Sequence, residues 1–278
     1  MPIELSFEFF PPKNAEAENK MWQAIGELAE LKPNFISVTY GAGGTTRDYT
    51  CDIAKRIAAE TSINTAAHLT CVGATRAEID TIARNYIAAG VNHIVALRGD
   101  PPKEANGEYI PNKDGYAYAT DLMRGLKEIG DFEFTVAAFP EKHPESHSFE
   151  QDIEVLKSKE DLGAARAITQ YFFKDEYYLR LRDRADKAGI KMPIIPGIIP
   201  IGNFAQLKKF SAMCKTSIPT GLDEKFTPLD DNHDERDKAA IEFATEQCLD
   251  LRKEGVNIFH FYTMNRSDLI KQIYNNLG

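Results

Sequence analysis

A chain of 278 residues, 43% hydrophobic and 27% charged, can bury a large core, which excludes a disordered or low-complexity polypeptide. Its formal charge of −9 excludes a broad nucleic-acid surface but permits lysine and arginine gathered locally around an anionic ligand. Cys51, Cys71, Cys214 and Cys248 are widely spaced without a C-x-x-C pair, which argues against a zinc knuckle or a disulfide framework, and no metal is assigned.

In chain order, apolar, β-branched and aromatic runs predict strands at Glu4–Phe10, Phe35–Gly41, Asn64–Cys71, His93–Gly99, Phe134–Pro140, Ala167–Phe173, Pro193–Ile199 and Asn257–Thr263. Longer segments of helical periodicity separate them, the alternation that parallel strands and crossover helices produce, and eight strands close a barrel. The expected fold is α/β: a single (β/α)8 TIM barrel over residues 1–278, eight parallel strands with the site at their carboxyl ends. Thr75 with Glu78, and Ser148 with Gln151, have capping-box spacing. After Thr75, Ile79, Ile82, Ala83, Tyr86 and Ile87 form one apolar stripe, expected to cover the outside of the sheet. Pro101–Gly115 and Thr216–Asp234 break the rhythm and read as loops within one domain. Met1 is not followed by a secretory leader pattern and no apolar run is long enough to span a bilayer, so a cytoplasmic protein without membrane contact is expected.

Polar residues collect where the predicted strands end: Glu8, Thr39 with Tyr40, His68, Arg98-Gly99-Asp100, Gln170 and Tyr262. An unpartnered polar group in such apolar surroundings is costly, so these residues are expected to share one pocket. In Ser6-Phe7-Glu8-Phe9-Phe10-Pro11-Pro12 the aromatic neighbours would desolvate the Glu8 carboxylate, raise its pKa and make it a proton donor near neutral pH. A strand carboxylate paired with a core Arg or Lys accounts for the same residues. Asp100, before Pro101-Pro102, also reads as turn chemistry. Arg98 beside Gly99 offers a donor fork next to flexible backbone, suited to phosphate or carbonyl oxygens. His68 reads either as a ligand contact or as a satisfied core histidine, and Phe210 either as a stacking surface or as a core aromatic. Gln170 and Gln206 can pair with a ring edge that mixes donors and acceptors; equally, Gln170 can be an ordinary buried amide and Gln206 part of a helix cap begun by Asn203.

Several chemistries are disfavoured. No G-x-G-x-x-G follows a strand, Gly41-Ala42-Gly43-Gly44 lacks the phosphate-loop lysine, and there is no G-x-S-x-G elbow. A Schiff-base aldolase or lyase would need a lysine within a strand, and none of the eight predicted strands has one. A non-catalytic binding protein is the remaining alternative, and the acid kept inside an apolar strand argues against it.

The motifs resemble the bacterial methylenetetrahydrofolate reductases. The likeness runs through the Glu8 strand, Ser37-Val38-Thr39-Tyr40-Gly41-Ala42, Ala67-His68-Leu69-Thr70-Cys71, His93 to Asp100, Ala167-Ile168-Thr169-Gln170 and His260-Phe261-Tyr262-Thr263-Met264-Asn265-Arg266, in family order over nearly the whole chain. The resemblance implies reduction of 5,10-methylenetetrahydrofolate to 5-methyltetrahydrofolate in one-carbon metabolism and methionine biosynthesis, with FAD as cofactor, NADH or NADPH as reductant and ping-pong kinetics. It implies Glu8 as the acid that opens the folate imidazolidine ring and Asp100 as a carboxylate touching the pterin and tuning the flavin. For FAD it points to Thr39, Tyr40, Ala42, His68, Arg98, Gly99, Asp100, Tyr118, Ala119, Phe139, His143, Asp152, Lys159, Ile168 and Tyr262. For substrate it points to Asp100, Gln170, Gln206, Phe210 and Arg266, the last at the folate glutamate. Phe139, Val155 and Ser158 depart from the pattern, removing a hydroxyl and polar or basic groups around the cofactor. A homo-oligomer, a tetramer, is the assembly implied, without a regulatory second domain. Nothing in the residues reads the 2′ position that separates NADH from NADPH.

Overall fold

The computed structural model describes residues 2–40, 47–101 and 109–278. Its strands are β1 (Glu4–Phe9), β2 (Phe35–Val38), β3 (Thr65–Thr70), β4 (His93–Leu97), β5 (Glu133–Ala138), β6 (Ala164–Thr169), β7 (Ile194–Ile195), β8 (Gly197–Ile198) and β9 (Ile258–Tyr262). They pair in parallel in the order β7-β6-β5-β4-β3-β2-β1-β9-β8. The helices are α1 (Ala15–Ala29), α2 (Arg47–Glu60), α3 (Arg76–Ala88), α4 (Ala119–Ile129), α5 (Phe149–Asp161), α6 (Asp175–Lys187), α7 (Phe204–Cys214), α8 (Thr220–Phe226), α9 (His233–Lys253) and α10 (Ser267–Leu277). The architecture is the α/β barrel expected.

Nine strands stand where eight are expected because the seventh is broken. Pro196 has no N–H to give to a ladder, and it divides the predicted Pro193–Ile199 strand into β7, which pairs with β6, and β8, which pairs with β9. The circuit of strands therefore closes through one proline, whose carbonyl still accepts from His260 N at 3.0 Å. Strand β6 begins and ends earlier than its sequence suggests. It stops at Thr169, so Gln170–Phe173 lies beyond the ladder, although Gln170 N still donates to Ala138 O at 2.9 Å.

Alternation sorts each strand between two environments. Leu5, Phe7 and Phe9 of β1 point outward and pack with Met21, Ile25, Ile270 and Ile273, while Ser6 and Glu8 point into the barrel. The inner core below the mouth is Phe35, Ala66, Val95, Ile168 and Ile195. Thr75 caps α3 with both halves of its box formed. Ser148 caps α5 by accepting from Gln151 N, but the return bond goes from His147 N to Gln151 Oε1, one residue earlier than the box predicts. In the α3 stripe Ile79, Ala83 and Tyr86 are buried and Ile82 is partly covered, whereas Ile87 is 36% exposed at the helix end. The Thr216–Asp234 loop holds structure of its own: α8 and a 3-10 turn at Thr227–Leu229, held because Leu222 and Phe226 fall on one face and Phe226 stacks on Phe204, 5.6 Å between ring centres.

Candidate active site

Glu8 sits at the carboxyl end of β1, buried inside the barrel mouth. Its Oε2 is 3.3 Å from His68 Nε2 on β3 and 3.6 Å from His260 Nε2 on β9. His260 Nδ1 in turn lies 2.8 Å from Ser6 Oγ, and its ring stacks on Phe35. The partner of the carboxylate is thus a pair of imidazoles, not the Arg or Lys that the alternative reading supposes. The desolvation does not come from the neighbouring aromatics either, since Phe7 and Phe9 face the opposite side of the strand. Burial in the barrel is the largest single influence and pushes the carboxyl pKa up, but the charge of His68 and the hydrogen bonds of both histidines together outweigh it, leaving Glu8 low, at about 2. This corrects the expectation of a raised pKa. Burial likewise pushes the His260 imidazole down, although the hydrogen bond and charge of Glu8 work against it.

Tyr262, opposite Glu8 in register, donates its hydroxyl to Thr169 O at 2.8 Å and lies across Gly197. A Cβ at Gly197 would meet Thr169 O at 2.3 Å and Tyr262 Cε2 at 2.6 Å, so the ring occupies space that only glycine leaves. Ile168 is buried in the inner core directly below.

The β4 and β5 side of the mouth carries cations and donors. Arg98 holds Glu145 in a two-point ion pair, with Nη2 to Oε1 at 2.8 Å, and its guanidinium lies over the Tyr109 ring at 4.3 Å. Gly99 has φ +87, and a Cβ there would stand 2.5 Å from Val72 Cγ1, so the chain passes tightly against β3. Asp100 is exposed at the rim. Half-buried Lys159 on α5 donates to Ala137 O at 2.8 Å; burial brings its ammonium down to about 8 despite the Asp152 charge. The Asp152 carboxylate accepts from His143 N at 2.6 Å and from Ser146 Oγ. Phe139 meets His143 edge-on, and the His143 pKa is lowered by burial and by Arg98. Tyr118, more than half exposed, caps α4 ahead of buried Ala119. Val155 is exposed, and Ser158 bonds back to Glu154 O at 2.9 Å.

Not every expected residue points at the mouth. Thr39 is half-buried with its hydroxyl on Tyr40 O. The Tyr40 hydroxyl turns away, toward Tyr86 in the outer core that also holds Cys51. Ala42 lies outside the described residues. Gln170 turns its amide oxygen onto Tyr171 N at 3.0 Å. Asn203 caps α7 by accepting from Gln206 N at 2.8 Å, which leaves the Gln206 side chain exposed one turn before half-buried Phe210. Arg266, at the rim after β9, donates to Asp268 at 2.7 and 2.5 Å and to Asp237 at 2.6 Å. The sequence reading missed Ser6, His260, Gly197, Glu145 and Asp237. His260 was within reach of it, since it stands two residues before Tyr262 and so shares its face.

The family model described as methylenetetrahydrofolate reductase matches residues 2–278. The chain belongs to the methylenetetrahydrofolate reductase family. It is 48% identical over 277 residues to 5,10-methylenetetrahydrofolate reductase of Escherichia coli K12, covering 99% of this chain and 91% of that one. It is 34% identical to methylenetetrahydrofolate reductase (NADH) 1 of Arabidopsis thaliana, covering 98% of this chain and 48% of the plant protein. Among solved structures, a protein of Clostridium thermocellum described as binding two copies of 5-methyl-5,6,7,8-tetrahydrofolic acid superposes with a TM-score of 0.65 at 17% identity, covering 99% of this chain and 94% of that one. That likeness concerns the fold. As a methylenetetrahydrofolate reductase the chain is an oxidoreductase acting on CH–NH groups.

Proposed function

We propose that this protein reduces 5,10-methylenetetrahydrofolate to 5-methyltetrahydrofolate with NADH or NADPH, and that the buried Glu8–His68–His260 cluster at the barrel mouth supplies the proton. The relatives' names support the reaction, and the cluster is the observation that carries the mechanism. Opening the imidazolidine ring leaves charge on nitrogen, and a positioned acid relieves it in the transition state. Glu8 is held as a carboxylate at rest, so it takes up a proton from solvent before passing one to the folate nitrogen, and the two imidazoles, within 3.6 Å of its Oε2, stand where they can relay it. Ser6 and the Phe35 face fix the ring of His260 so that its Nε2 stays on Glu8.

The residues fit FAD. His68 Nδ1 and Thr70 Oγ1 are buried without a hydrogen-bond partner among the described residues, as expected of groups that meet a polar ring. Arg98, His143 and Lys159, with Asp152, would hold its charged arm, and Tyr118 and Ala119 its outer part. Bound there, FAD supplies hydride transfer between a nicotinamide and the folate one-carbon unit in alternate half-reactions. Gln170, Gln206 and Phe210 would orient the ring systems, with Asp100 at the pterin and Arg266 at the glutamate. The Arabidopsis relative's name specifies NADH. We place the enzyme in the cytoplasm, in the one-carbon steps that feed methionine biosynthesis, as a homo-oligomer of single-domain chains. Among the described residues no helix is long and apolar enough to cross a membrane.

The deciding test is the visible spectrum of the purified protein under anaerobic NADH or NADPH. Bleaching of a flavin band, reversed by methylenetetrahydrofolate, is the expected result; a colourless protein that neither binds FAD nor turns over folate would sink the proposal.

A further inference from the structure

Tyr171 stands just past the end of β6, buried, where three parts of the mouth meet. Its backbone N donates to Gln170 Oε1 at 3.0 Å, and its ring meets Tyr262 edge-on, 6.0 Å between ring centres. Its hydroxyl lies 3.2 Å from Ser211 Oγ on α7, with Cys214 and Thr216 bordering the same oxygen. Burial pushes the phenol well above its usual range, so the hydroxyl keeps its proton at every working pH. The helix on the far side of this contact carries Gln206 and Phe210. Phe204, Leu207 and Ser211 form its buried face, and Gln206 and Phe210, one turn apart, lie on the flank one residue ahead of Leu207 and Ser211. Where that flank points therefore depends on how the buried face is turned. The apolar contacts of Phe204 and Leu207 have little directionality, whereas a hydrogen bond set among them does. Cys214, at the end of α7, has its thiol raised by burial and then by the charge of Asp100, which places this end of the helix beside the rim residues that follow β4.

We propose that Tyr171 is a positioning residue: its hydroxyl, bonded to Ser211, fixes the rotation of α7 and so aims Gln206 and Phe210 at the bound ring systems. This rests on the proposed function, in which those two side chains orient the rings. Without the bond, α7 divides its time among several settings, and folate binds only the fraction of molecules in the right one. Apparent affinity falls by that fraction, while a complex once formed reacts as before. Tyr171 thus bears on binding and has no part in the chemical step.

Steady-state kinetics of the FAD-loaded enzyme on methylenetetrahydrofolate tests this, comparing wild type with Tyr171→Phe, with Ser211→Ala, and with Tyr171→Phe in a Gln206→Ala, Phe210→Ala background. Tyr171→Phe is expected to raise the folate KM by about fivefold, the worth of one buried hydrogen bond, with kcat within about 1.5-fold of wild type. Ser211→Ala should raise it less, since Cys214 and Thr216 still border the hydroxyl. In the Gln206→Ala, Phe210→Ala background Tyr171→Phe should leave KM where it was, because nothing remains for the helix to aim. Urea midpoints show whether each fold is kept, and Ser211→Ala carries the test should Tyr171→Phe not fold. A folate KM unmoved by both single variants overturns the proposal. So does a rise as large in the doubly substituted background as in the wild type, which makes Tyr171 a general support of the barrel. A wild-type flavin that nicotinamide reduces but folate does not reoxidise would instead overturn the functional reading, and this inference with it.

Discussion

At Glu8 a carboxylate and two imidazoles share a buried space, and the balance of burial against their charges decides where the proton waits. Glu8→Gln keeps the shape and removes the exchangeable proton site. Rapid-mixing absorbance is expected to show nicotinamide-driven flavin reduction within about twofold of wild type and folate-driven reoxidation slowed by about 100-fold or more. Equal slowing of both would place Glu8 outside the folate step. Because the cluster must carry a proton to deliver one, folate-driven reoxidation should slow as the pH rises through the cluster's apparent pKa, and that limb should vanish in Glu8→Gln. Lys159 makes a second prediction. Its ammonium is brought down to about 8 by burial, and an anionic partner would raise it again. Binding of FAD is then linked to proton uptake, so affinity measured by flavin fluorescence should fall as the pH climbs above 8. Lys159→Met should bind more weakly and lose that dependence; a dependence unchanged in the variant would rule Lys159 out as its source.

Among the elements, the broken seventh strand has the most to do with the site. Pro196 ends β7, Gly197 opens β8, and the space left by the missing side chain is filled by the Tyr262 ring hydrogen-bonded to Thr169. Gly197→Ala must push against a backbone carbonyl as well as that ring, an overpacking worth about 1–3 kcal/mol. A lowered urea midpoint together with a raised KM for folate is the expected outcome; an alanine variant as stable as wild type would show that Tyr262 is free to move. The sequence pattern located these strands because outward Leu5, Phe7 and Phe9 alternate with inward Ser6 and Glu8 and period two survives tertiary packing. It read strand seven as unbroken because Pro193–Ile199 is apolar throughout, although Pro196, with no N–H for a ladder, stood in it as the signal of the break. Nor did it show α8, whose helix depends on Phe226 finding Phe204.

For the molecule as a whole, the two ends of the chain are tied together at the mouth. Thr263 N and Oγ1 both donate to Glu8 O, at 3.1 and 2.7 Å, and the Asn265 side chain accepts from Phe10 N and donates to Phe10 O, both at 2.9 Å. Asn265 itself sits at φ +58, a conformation that asparagine and glycine tolerate best. Asn265→Gly keeps that conformation and removes both bonds, so a loss of about 1–3 kcal/mol in denaturant unfolding isolates the tie from the backbone. A variant as stable as wild type would show that β1 and β9 close the barrel without it. The sequence by itself determined the class of fold, the order of the strands, and that polar side chains gather at their carboxyl ends, because these follow from local periodicity and chain order. Only the tertiary structure decided that Glu8 meets histidines and holds a low pKa, that Tyr40 turns away, and that Arg266 is already shared by Asp237 and Asp268. Electrostatic character depends on which charges lie within a few ångström, and those partners come from strands and helices far apart along the chain.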